Sequence, residues 1–106
     1  QATWGNPGYQ NYSSTTSTTG DFAITDEVGT LRINNQISGL IIPQASANKG
    51  RIIRLVNWPG NAEKILVFQG SDDLFDVRTN SKILSIKPQQ LFTIQSAGNR
   101  WILLDQ

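Results

Sequence analysis

Histidine and cysteine are both absent from the 106 residues. Their absence excludes a Ser–His–Asp triad, a Cys–His pair and any zinc site built on imidazole or thiolate. Carboxylates and lysine are what remain for catalysis. A glycosidase needs two carboxylates facing a sugar-binding cleft. Here Asp26-Glu27, Glu63 and Asp72-Asp73 stand beside turn residues, where solvated charge is the ordinary state. Asp72, Asp73 and Asp76 form the one acidic cluster, and it lacks the alternating acids and closing glutamate of a calcium loop. No catalytic residue, metal ligand or cofactor is therefore assigned.

Long apolar runs are missing as well. The longest hold four residues, far from the roughly 20 that cross a bilayer as a helix, so no membrane partner is expected. Nine basic residues balance eight acidic ones to leave a net charge of +1, which gives no broad electrostatic footprint for nucleic acid. Lys49, Arg51 and Arg54 lie close together in sequence, but Lys49 belongs to a turn and the two arginines fall on opposite faces of an extended strand.

Charge is also absent from residues 1–20, so every Lys, Arg, Asp and Glu lies beyond Gly20. The run Ser13-Ser14-Thr15-Thr16-Ser17-Thr18-Thr19 offers hydroxyls that compete for backbone hydrogen bonds and almost nothing to bury. Ahead of it, Trp4, Tyr9 and Tyr12 sit around Gly5-Asn6-Pro7-Gly8, which favours extended and turn conformations. Residues 1–20 are expected to form an extended arm whose three aromatics anchor it on a neighbouring subunit. The alternatives are a disordered tail or a segment folded back on its own domain.

From residue 21 to residue 106 one domain is expected. Short stretches rich in Ile, Val, Leu and Phe recur there between turn signals, the pattern of an all-β sandwich or barrel. The expected strands are 21–26, 29–35, 38–43, 51–57, 63–69, 73–78, 82–87, 90–96 and 100–104, with no helix. Trp58-Pro59-Gly60-Asn61 and Ala97-Gly98-Asn99 carry the fixed and positive φ values that tight turns need, and are read as hairpin signals.

Leu31 and Ile33 alternate with Arg32 and Asn34, as a strand with one wet face should. By contrast, Ile52-Ile53-Arg54-Leu55-Val56, Ile65-Leu66-Val67-Phe68 and Trp101-Ile102-Leu103-Leu104 are apolar on both faces. A domain this small has no layer of its own to cover both sides, so an oligomer is expected, with Ile53, Leu55, Phe68, Trp101 and Leu103 serving core or subunit interface. The plainer alternative is that scattered exposed apolar residues are ordinary. Trp58, at a turn tip, is the candidate for an exposed contact with a partner or ligand.

The run from Pro43 through Ala45, Asn48, Gly50, Ile52, Ile53 and Leu55 to Asn57 resembles a segment of β-structured modules from phage fibre and capsid-surface proteins. So does the closing half, with Gly70-Ser71-Asp72, Ile83-Leu84-Ser85-Ile86, Leu91-Phe92-Thr93-Ile94-Gln95-Ser96 and Gly98-Asn99-Arg100-Trp101. The resemblance spans about Asp21 to Leu104. It implies a single antiparallel β-sandwich of jelly-roll-like form, often trimeric, on a particle surface, with Gly50 and Gly98 in turns and no active-site residue. A short module behind an uncharged arm suits a capsid cement or decoration protein on the outer surface of a virion, bound as a homotrimer to the major capsid protein. The alternative is a receptor-binding or head- or tail-fibre module that recognises surface glycans, with Trp58 as a stacking residue.

Overall fold

The computed structural model describes residues 11–15 and 19–105, which are all-β with no helix. Eleven strands follow in order: β1 Tyr12–Ser14, β2 Gly20–Ala23, β3 Thr30–Ile33, β4 Ile37–Ile41, β5 Ile52–Asn57, β6 Lys64–Val67, β7 Leu74–Asp76, β8 Ser81–Lys82, β9 Ser85–Ile86, β10 Leu91–Ser96 and β11 Trp101–Asp105. They build a seven-stranded sheet in the order β1-β3-β5-β10-β11-β7-β8 and a four-stranded sheet in the order β2-β4-β6-β9.

The chain shuttles between the two sheets. From β1 to β7 each successive strand joins the opposite sheet, so β1, β3 and β5 stack in parallel in one while β2, β4 and β6 stack in parallel in the other. Parallel neighbours need a long crossover, and here the intervening strand of the other sheet supplies it. Antiparallel pairing enters at the C-terminal side, where β10 adds to β5, β11 to β10 and β9 to β6. The expectation of an antiparallel fold is thereby corrected to two mixed sheets. The reason lies in the turns. Trp58-Pro59-Gly60-Asn61 closes as a tight turn, with Gly60 at φ 92° and Asn61 N–H donating to Trp58 O, but it carries the chain from one sheet to the other and forms no hairpin. Ala97-Gly98-Asn99 does join an antiparallel pair, with Gly98 at φ 96°.

Two further expectations change. Residues 82–87 form no single strand but break between β8 and β9, which belong to different sheets. Tyr12–Ser14, placed in the arm by sequence, form the edge strand of the larger sheet in parallel register with Thr30, Leu31 and Arg32. Trp4 and Tyr9, the other arm residues, lie outside the described residues.

Period-two alternation decides what faces inward. Leu31 and Ile33 of β3, Ile53 and Leu55 of β5, and Phe92 and Ile94 of β10 are buried, and they meet Ile37 and Leu40 of β4 and Leu66 of β6 in one apolar cluster. Each such side chain contributes about 1.5–3 kcal/mol by leaving water.

Polar side chains hold the corners where the chain crosses between sheets, because carbonyls there have no ladder partner. At one rim the buried Arg51 donates from Nη2 to Thr25 O and Val28 O and from Nη1 to Asn48 Oδ1. At the other, the buried Lys64 gives its ammonium protons to Asn35 O, Asn35 Oδ1 and Ile37 O, while Asn57 Nδ2 serves Ala62 O and Ile86 O. Burial lowers the pKa of both cations, opposed at Arg51 by the nearby Asp26 and Glu27.

Candidate interaction surface

With the inward positions filled, the residues beside them face out, and their chemistry is uneven. On the seven-stranded sheet the register sets Arg32, Val56 and Leu91 in one row and Thr30, Arg54 and Thr93 in the next. A third row holds Ile52, Gln95, Ile102 and Phe75. Ile52, Leu91 and Leu104 are exposed at 38%, 45% and 47%. Leu104 faces outward by the alternation of β11, and the shift in pairing between Thr93 and Ile94 adds a residue to that strand, which sets Asp105 opposite the outward Thr93.

Trp58 continues this face beyond the end of β5. Its indole is exposed, and the Arg32 guanidinium lies 4.2 Å above the ring centroid. That contact holds a large apolar surface at a fixed angle without burying it. Tyr12, on the edge strand β1, is exposed as well.

On the four-stranded sheet the outward row is Asp21, Gly39, Ile65 and Ser85, followed by Ala23, Ile41 and Val67. Ile65 is the most exposed large apolar residue of this sheet's strands, and Glu63 beside it hydrogen-bonds to Ser85 Oγ. Asp21 lies flat over Gly39, where an added Cβ would come 2.7 Å from Asp21 Oδ1 and 3.1 Å from Ile65 O.

The residues named for core or interface fall inside this chain. Ile53, Leu55, Trp101 and Leu103 are buried in the apolar cluster and Phe68 packs partly buried against it. Trp101 also donates from its indole N–H to Pro43 O at 3.0 Å. The outward positions in the same three segments belong instead to Ile52, Val56, Ile65, Val67, Ile102 and Leu104. Naming those needed only the parity of each strand, once its buried members were known.

The acidic cluster is accounted for by local partners. Asp72 Oδ2 accepts the Ala45 N–H, and Asp76 Oδ1 accepts the Arg78 N–H. Asp73 accepts two bonds from Arg100, at 2.8 and 2.9 Å, with Lys82 Nζ at 3.5 Å. The hydrogen bond from Arg100 is the main cause that holds the Asp73 carboxyl below the usual carboxylate range. Arg100 in turn lies over the Phe75 ring. Among the described residues, no group of three His, Cys, Asp or Glu side chains is placed to hold a metal ion. What the two outer faces offer chemically is apolar area with charge at set positions, the material of protein–protein contact.

No protein-family model, curated protein or solved structure matches the chain.

Proposed function

We propose that this chain is a non-catalytic structural module of a virus particle, a capsid cement protein that binds major capsid subunits on the outer shell as a trimer. In this reading the two sheets, which share one buried cluster, are the layers of a β-sandwich. Its likeness to a jelly roll extends to the layering and not to the strand order. The observation that carries the proposal is the exposure of large apolar side chains on the outer faces of both sheets, Ile52, Leu91 and Leu104 on one and Ile65 on the other. Leaving them in water forgoes the burial that association supplies. Tyr12, exposed on the edge strand β1, and Trp4 and Tyr9 in the arm ahead of it add aromatics of the type that interfaces favour.

A cement protein acts by mass action, since opening the shell must also break its contacts. Particles stripped of the protein should release their contents at lower temperature and under milder osmotic shock, and adding it back should restore resistance. Unchanged resistance after removal contradicts the proposal. Strand β1 bears on how the arm is tested: a deletion that ends at residue 10 leaves Tyr12–Ser14 in the sheet, whereas one that ends at residue 20 removes an edge strand.

Trp58 favours a second reading, a glycan-recognising module of a fibre. An exposed indole steadied by Arg32 is a surface on which a sugar ring can stack. Glycan-array binding that disappears in Trp58→Ala is the outcome that selects it.

A further inference from the structure

The two outer faces differ in sign. Outward strand positions of the seven-stranded sheet carry Arg32, Arg54 and Lys82 against one carboxylate, Asp105, at the far end of β11. Those of the four-stranded sheet carry Asp21, with Glu63 beside β6, and no basic residue, because Lys64 points inward and Lys87 lies beyond the end of β9. Both faces also expose apolar area, centred on Val56 and Leu91 in one case and on Ile65 in the other.

We infer that the outer face of the seven-stranded sheet of one copy docks on the outer face of the four-stranded sheet of the next, bringing Arg54 toward Asp21. This deepens the proposed function and rests on its claim that the chain associates with itself. Symmetry favours it. A face that pairs with its own twin makes a two-fold dimer and would set the patch that carries Arg32, Arg54 and Lys82 against the same patch, a repulsive arrangement. Head-to-tail contacts join two different, complementary patches on each chain, and the rotation between copies decides whether they close into a ring or continue as an open stack. Gly39 contributes by lacking a side chain, which lets the Asp21 carboxylate lie against the sheet and leaves its outer side open to an incoming guanidinium.

Sedimentation velocity over a range of concentrations, with circular dichroism to verify folding, tests the pairing. Arg54→Glu and Asp21→Lys should each raise the concentration of half-association by about tenfold or more. The double variant, with the signs exchanged, should return to within about threefold of the natural chain. Arg54→Gln should weaken association mildly. Tighter association in Arg54→Gln, or a double variant no better than the single ones, overturns the pairing of unlike faces. A natural chain that associates yet ignores all three substitutions also overturns it, while leaving the trimer of the proposed function standing. A natural chain that stays monomeric throughout overturns both.

Discussion

Asp73, one of the three acids clustered by sequence, has a structural partner in the fold. Each of its two oxygens accepts a hydrogen bond from Arg100, and Lys82 approaches one of them. Because its pKa is lower in the folded chain than in the unfolded one, Asp73 contributes stability above the ordinary carboxylate value. That contribution fades as pH falls through about 3.9 and is gone below the folded value. Asp73→Asn should therefore unfold at lower urea than the natural chain near neutral pH, and the gap should close as the solution is acidified. A gap that persists unchanged in acid contradicts this assignment. Comparing the variant with the natural chain at each pH removes the contribution of the other carboxylates. Lys64 and Arg51 make the complementary point. In sequence both look like ordinary surface cations, yet both are buried at crossover corners, because the carbonyls of Thr25, Val28 and Ile37 need donors there and a long basic side chain reaches several at once.

Strands were the legible part of this sequence, and partners were not. Every expected stretch from 21–26 to 100–104 contains a strand, because β-branched clusters between Gly, Pro and Asn turns leave few other options. Pairing partners depend on contacts far along the chain. A Pro-Gly turn looks the same whether it returns the chain beside its own strand or sends it to the other sheet, and so the sequence of residues 58–61 reads as a hairpin while the chain there changes sheets. Strand β1 was hidden for a different reason. Tyr12-Ser13-Ser14 has almost nothing to bury, and it is held mainly by backbone pairing with β3 and by the Thr15–Asn34 exchange. There Thr15 Oγ1 donates to Asn34 Oδ1 and accepts the Asn34 N–H, while Asn34 Nδ2 donates to Thr15 O. Asn34→Ala should cost about 1–3 kcal/mol in urea unfolding and speed hydrogen exchange of the Thr15 amide, which is bonded to Arg32 O, by about tenfold. Exchange at the natural rate contradicts the anchoring role. At the candidate surface, sequence gave the segments that are apolar on both sides but not which side each residue takes. Ile53, Leu55 and Trp101 went to the core, and the outward partners Ile52, Val56, Ile65 and Leu104 form the surface.

At the scale of the whole molecule, one buried cluster joins both sheets and two outer faces remain apolar and opposite in charge. A domain this small buries a modest share of its surface, so a partner on either face adds stability that the isolated chain lacks. On the proposed function these faces bind protein subunits, a second copy foremost. Sedimentation velocity on the natural chain beside Leu91→Glu tests it most directly, since a carboxylate at an exposed position leaves the fold intact but places an unpaired charge in an apolar contact. The natural chain should form a trimer with rising concentration, and Leu91→Glu should remain a folded monomer. A natural chain that sediments as a monomer at every concentration up to its solubility limit, or a Leu91→Glu chain that assembles equally well, would contradict it.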